Sequence, residues 1–130
     1  MFETAVKAAE NSYSPYSEFR VGAALLTESG EIFTGCNIEN TSYSLTNCAE
    51  RTAIFKAVSE GKRKFKAIAI AGGKGEDFSR PCNPCGACLQ VMAEFCSSDD
   101  FKIILSDRAY TLGEFLPRRF EQNGKDSQDN

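Results

Sequence analysis

The stretch KAIAIAGG, residues 66–73, constrains the fold more than any other part of this chain. It is short and continuously apolar, as a strand covered on both faces must be. The flanking segments supply partners and cover. Residues 3–12 read as a helix with Ala5, Val6, Ala8 and Ala9 on or near one side, and SPYSEF breaks it at Pro15. FRVGAALLT (residues 19–27) and EIFTGCNIE (residues 31–39) read as strands joined by a hairpin turn in ESGE. NCAERTAIFKAVSEG is the clearest helix, with Ala49, Ala53, Ile54, Ala57 and Val58 as its buried stripe and Gly61 as its stop. Asn83 as cap and Pro84 at the first helical position predict a helix over about 84–95. FKIILS is another buried strand and AYTLGE a short last one. Strands alternating with helices give an α/β layered domain, and its sheet is mixed because the first two strands form a hairpin.

The chain of 130 residues suits one domain, read here as residues 1–120, with a polar tail (121–130, EQNGKDSQDN) expected to fray. A content of 42% hydrophobic and 25% charged residues is that of an ordinary soluble globular protein. A formal charge of −3 argues against a polyanionic partner, so no nucleic acid is expected. The one basic patch, KRKFK at 62–66, reads as a solvated helix end. No apolar run approaches the roughly 20 residues that cross a bilayer. The first residues lack the basic-then-apolar layout of a secretory signal. A cytoplasmic protein without a membrane partner is therefore expected, and there clustered cysteines bind metal more often than they pair.

There is no histidine. That excludes Ser-His and Cys-His nucleophile pairs, imidazole metal ligands and imidazole proton shuttles. Metal must be held by Cys, Asp or Glu, and acid–base chemistry near neutral pH falls to a carboxylate with a raised pKa.

SRPCNPCGACLQ (79–90) sets Cys82, Cys85 and Cys88 three residues apart. On a helix starting at Pro84, Cys85 and Cys88 share a face near the positive end of the helix dipole, which prepares thiolates for metal. A dithiol redox pair uses the same spacing. Cys48, in TNCAERTA, also falls at the first turn of a helix, with Asn47 as the expected cap. Two such helix starts aimed at one point would bring three thiolates around a zinc ion, leaving one position open to water. Cys82 would point away; if it ligated instead, the result would be a closed, non-catalytic zinc-stabilised binding module. Glu50 has two readings, a capping box with Asn47 worth about 0.5–2 kcal/mol, or a proton shuttle beside the open position. Arg51 could donate hydrogen bonds to the sulfurs and withdraw their charge. Cys36 and Cys96 read as small buried hydrophobes.

SPYSEFRVGAALL, GCNIENTSYSLTNCAERTAIFKA, PCGACLQVMAEF and LGEFLPRRF together resemble the small homotetrameric cytidine deaminases over most of residues 14–120. C-A-E followed by P-C-x-x-C is similar to the zinc-deaminase signature in its all-cysteine form. The resemblance implies a three-layer α-β-α sandwich with a mixed five-stranded sheet, and hydrolytic deamination of cytidine and deoxycytidine in pyrimidine salvage. It implies one zinc per chain on Cys48, Cys85 and Cys88, with Glu50 moving protons to the departing ammonia. Phe19 would pack on the pyrimidine, Asn37 and Glu39 would bind the ribose hydroxyls, and Ala49 would line the nucleoside site. Tyr43 and Phe120 would reach a neighbouring subunit's site in the tetramer. A related deaminase acting on another nucleoside is the nearest alternative. One departure stands out: the family usually has an arginine directly after the second cysteine of P-C-x-x-C, where this chain has Leu89.

Overall fold

The computed structural model describes residues 1–121. The tail expected from residue 121 onward lies, Glu121 apart, outside them. Five strands, β1 (Arg20–Thr27), β2 (Ile32–Cys36), β3 (Phe65–Gly73), β4 (Lys102–Ile104) and β5 (Ala109–Thr111), form one sheet in the order β2-β1-β3-β4-β5. The β1–β2 hairpin and the β1–β3 and β4–β5 pairs are antiparallel, whereas β3 and β4 run parallel, so the sheet is mixed as expected. The parallel pair needs a crossover, and the segment holding α3 (Gly86–Phe95) supplies it.

Alternation along the two central strands sorts the core into two layers. Ala24, Ala69 and Ala71 face α1 (Phe2–Ala8), while Ala23, Leu25, Ile68 and Ile70 face α2 (Ala49–Ser59) and α3. That is why 66–73 is apolar at nearly every position. The α1 layer is thin because its side chains are small. A Cβ on Gly22 would overlap the Ala5 carbonyl oxygen, so only glycine lets α1 lie this close to β1. The opposite layer holds the larger side chains, with Phe101, Ile54, Met92, Ile103 and Leu112 fully buried. Helices on both faces of the sheet make the three-layer α/β sandwich.

Four local expectations differ from the structure. The helix start at Pro84 moves to Gly86, with Cys85 as N-cap in an extended conformation (φ −77°, ψ 166°). Likewise α2 is capped by Cys48 (φ −75°, ψ 155°), not by Asn47. AYTLGE divides into β5 and a short helix α4 (Leu112–Phe115). Its Thr111 hydroxyl accepts from the Glu114 amide at 3.3 Å, and the Glu114 carboxylate accepts from the Thr111 amide at 3.0 Å, a capping box hidden in a strand-like string. The buried strand read in FKIILS shortens to Lys102–Ile104. At the end of α2, Arg63 donates to the Val58 carbonyl at 2.7 Å, tying the basic patch to that helix end, and Lys62 pairs with Glu31 of the β1–β2 hairpin at 2.8 Å. Among the described residues no helix is long and apolar enough to cross a membrane.

Candidate active site

The helix starts of α2 and α3 converge at one end of the sheet. Gly35 makes the approach of α2 possible, since a Cβ there would stand 2.5 Å from both the Ala49 oxygen and the Ala53 nitrogen. The first turn of α2 thus lies directly on β2 and carries Cys48, Glu50 and Arg51 with it. Being N-caps in extended backbone, Cys48 and Cys85 turn their sulfurs toward each other, 3.8 Å apart. Cys88, one turn into α3 and fully buried, brings its Sγ to 3.4 Å from that of Cys85.

These three sulfurs all lie within 4.8 Å of one another and are the one group of metal-ligating side chains among the described residues. Tetrahedral zinc at a Zn–S distance of about 2.3 Å requires sulfurs about 3.8 Å apart, so the donor set fits that ion. Cys82 is not in the group. Its thiol packs beside Gly72 and the Phe19 ring, where an added Cβ on Gly72 would be 2.7 Å from Sγ and 2.9 Å from Phe19 Cε2. Burial, then the charges of Glu50 and Cys48, push the Cys82 thiol up to about 11, which makes it a poor thiolate. The sulfur placement therefore gives no support to a four-cysteine closed site.

Contact with Cys88, joined by Arg51 and Cys85, holds the Cys48 thiol down at about 5 against its burial. The same Cys48 contact, with burial, drives the Cys88 thiol up. The lowered pKa favours the thiolate at Cys48. Arg51 answers it, donating from Nη2 to Cys48 Sγ at 3.3 Å, and this contact raises its own pKa. Arg51 Nε is buried without a hydrogen-bond partner, while Nη2 is the atom that meets the Cys48 sulfur. Leu89 is buried in the same core cluster as Met92 and takes no part in the thiol cluster.

Glu50 is only 4% exposed. The capping-box reading of Glu50 with Asn47 does not hold, because the N-cap is Cys48 and the Asn47 backbone N–H donates to the Ile38 carbonyl at 2.9 Å. Burial pushes the Glu50 carboxyl up to about 7, and the Cys48 charge adds to this while its own backbone N–H and Arg51 oppose it. The carboxyl lines a cleft of about 190 Å³ with Val21, Asn37, Thr46, Ala49, Cys82, Asn83 and the sulfurs of Cys48 and Cys85. Thr46 also borders a depression of about 280 Å³ formed by Tyr16, Ser17, Glu39 and Tyr43, so the two openings adjoin. Phe19 lies on the other flank, past Cys82, at the edge of a larger groove with Lys74 and Arg80.

The expected substrate contacts are thus only partly gathered. Ala49, Asn37 and Glu50 share the cleft, Glu39 and Tyr43 the adjoining depression, and Phe19 lines only the separate larger groove. Tyr43 is 74% and Phe120 75% exposed, and Phe120 lines none of these hollows; its carbonyl accepts from Gln90 at 3.3 Å. Asn37 is nearly committed already: Oδ1 accepts from the Val21 amide at 2.9 Å and from the Ser12 hydroxyl, and Nδ2 donates to the Phe19 carbonyl at 2.9 Å. Val21, Thr46, Cys82 and Asn83 line the cleft without having been singled out for it. The only sequence signal for Thr46 is that it precedes the Asn-Cys pair at the start of α2.

Comparison with known proteins agrees with this chemistry. Residues 1–103 match the family model described as the cytidine and deoxycytidylate deaminase zinc-binding region. A cytidine deaminase of Sporosarcina psychrophila is 63% identical over 91 residues, covering 70% of this chain and 64% of that relative, just under two thirds of its length. One from Halalkalibacterium halodurans is 50% identical over 125 residues, covering 92% and 91% of the two chains. The crystal structure of cytidine deaminase from Burkholderia pseudomallei superposes with a TM-score of 0.82 at 45% identity, covering 92% of this chain and 95% of the other. A match of this extent, over both the thiol cluster and the sheet that carries it, places the chain in the cytidine and deoxycytidylate deaminase family.

Proposed function

We propose that this chain hydrolyses cytidine, and deoxycytidine, to the uracil nucleoside and ammonia, with zinc held by Cys48, Cys85 and Cys88. The observation that carries the proposal is the placement of one buried carboxyl, Glu50, in the cleft that the thiol cluster lines. Zinc, when bound there, supplies Lewis-acid activation of a water molecule. The protein's own part is proton traffic and orientation. A Glu50 oxygen takes the two protons of the attacking water in turn and passes one to the ring nitrogen next to the reacting carbon and the other to the amino group, which departs as ammonia. Water supplies the oxygen that replaces it, and no other reactant is needed.

Arg51 draws charge from the Cys48 sulfur, which keeps a site with three anionic ligands a useful Lewis acid. Phe19 offers its ring to the pyrimidine, with Ala49 below the cleft. The sugar lies toward Thr46, where the Glu39 carboxylate and the remaining Asn37 N–H meet its hydroxyls. Tyr43 and Phe120 are assigned to a neighbouring subunit's site in a homotetramer. Support comes from their exposure and from that of Tyr13, Ile38 and Leu45, an amount of apolar surface that suits assembly. Residues 1–120 act as one domain, in pyrimidine salvage in the cytoplasm, where six free cysteines stay reduced.

The test is an ultraviolet assay on cytidine with and without a chelator strong enough to strip zinc. Conversion to uridine that stops on stripping and returns with zinc supports the proposal. Zinc-loaded protein without turnover of either nucleoside contradicts it.

A further inference from the structure

We propose that Ser17 is a positioning residue, forming with Glu39 a clamp that fixes the turn bearing Phe19 and, on the deaminase reading above, the pyrimidine it packs against. The Glu39 carboxylate is occupied by three donors of one short segment. Oε1 accepts from the backbone amides of Tyr16 at 3.0 Å and Ser17 at 3.2 Å, and Oε2 accepts from the Ser17 hydroxyl. That hydroxyl in turn accepts from the Phe19 amide at 3.0 Å. One side chain therefore carries the hold of the carboxylate to the peptide unit of Phe19.

The turn requires such a hold. Glu18, between Ser17 and Phe19, has φ 58°, the only positive φ of a non-glycine residue among those described. A residue with a Cβ occupies that region at a cost, and surrounding contacts must maintain it. On the far side of Phe19, Asn37 accepts from the Val21 amide and donates to the Phe19 carbonyl, both at 2.9 Å. Both backbone groups of Phe19 are thus gripped by side chains of the Asn37–Glu39 stretch or by Ser17 acting for it. The ring has a narrow seat, with Gly72 against Cε2 and Cys82 beside it. A shift of the turn moves the ring out of that seat. Glu39 then acts on the base as well as the sugar, and Ser17 acts on the base through the backbone of the Phe19 turn.

The experiment compares Ser17→Ala, Ser17→Thr, Glu39→Gln and the Ser17→Ala/Glu39→Gln double variant on cytidine and on dideoxycytidine, which lacks both ring hydroxyls of the sugar. Amide hydrogen exchange of the zinc-loaded proteins is measured in parallel. Ser17→Ala is expected to raise KM on both substrates by the same factor, on the order of tenfold, with kcat nearly unchanged. Ser17→Thr, which keeps the hydroxyl, retains the parent KM. In the Glu39→Gln background Ser17→Ala adds less than about twofold, as expected of two groups in one network. Exchange at Phe19 and its neighbours quickens in Ser17→Ala, while exchange in β3 stays as it was. Unchanged exchange at Phe19 would overturn the clamp, as would a KM effect on cytidine that vanishes on dideoxycytidine, or full additivity in the double variant. If the parent protein turns over neither substrate, the functional proposal falls and the exchange result alone decides the clamp.

Discussion

Arg51 Nη2, in the first turn of α2, lies 3.3 Å from the sulfur of Cys48, the cap of that helix. The pairing sets a positive guanidinium against one of the three sulfurs that would carry negative charge on zinc. Removing it leaves that charge opposed only by the helix dipoles and the metal. Arg51→Ala is expected to weaken zinc affinity and cytidine turnover by roughly 10–100-fold, the range for groups that support metal ligands. Competition with a chelating dye measures the first, and the absorbance assay the second.

Cys82 and the thiol cluster separate cleanly by substitution. Cys82→Ser is expected to keep about one zinc per chain, because its sulfur packs on Gly72 and Phe19 outside the three-sulfur group. Cys48→Ser, Cys85→Ser and Cys88→Ser each remove a ligand and are expected to lose the metal. Atomic emission analysis of the purified variants distinguishes the two patterns. Metal loss in Cys82→Ser would point to a four-cysteine site.

Gly35 sets the distance between α2 and the sheet. Gly35→Ala forces its Cβ into the Ala49 oxygen and Ala53 nitrogen, both backbone atoms that cannot swing aside. The expected cost is about 1–3 kcal/mol of stability, read from denaturant unfolding. Zinc affinity should fall too, because the displaced turn carries Cys48. Gly61, which lies past the end of α2 with open space around its Cβ position, has no such effect on metal.

Thr111 and Glu114 form a reciprocal cap at the start of α4. Thr111→Ala is expected to lower stability by about 1 kcal/mol and to leave zinc content unchanged, since α4 supplies no residue to the thiol cluster. Thermal unfolding and metal analysis on the same sample check both halves.

Much of the fold was legible from periodicity. The apolar run at 66–73 announced a strand covered on both faces, and it became β3 at the centre of the sheet. The stripe Ala49, Ala53, Ile54, Ala57 was readable for the same reason, as burial on one helix face repeats in sequence. The helix starts were less legible. Asn47 and Asn83 have the side chains that usually cap, yet the caps are Cys48 and Cys85, because bringing the sulfurs together requires extended backbone at the cysteines themselves. AYTLGE misled because the Thr111–Glu114 exchange is a pairing of atoms, not a hydrophobic pattern. In the site, spacing paired Cys85 with Cys88 and the absence of histidine pointed to thiolate ligands, while the joining of Cys48 to them was implied by the family resemblance. The hydrogen bonds that commit Asn37 and Glu39 to the Phe19 turn were not. They depend on the chain folding back across more than fifteen residues, which no local motif records.

Glu50→Gln tests the central claim most directly, with zinc content and cytidine turnover measured on the same preparation. An amide of the same shape can line the cleft but cannot take a proton from water. The expected result is about one zinc per chain, with turnover lowered by about 10²–10⁴-fold, the share general acid–base catalysis supplies. Turnover equal to that of the parent protein, with zinc retained, would contradict the account.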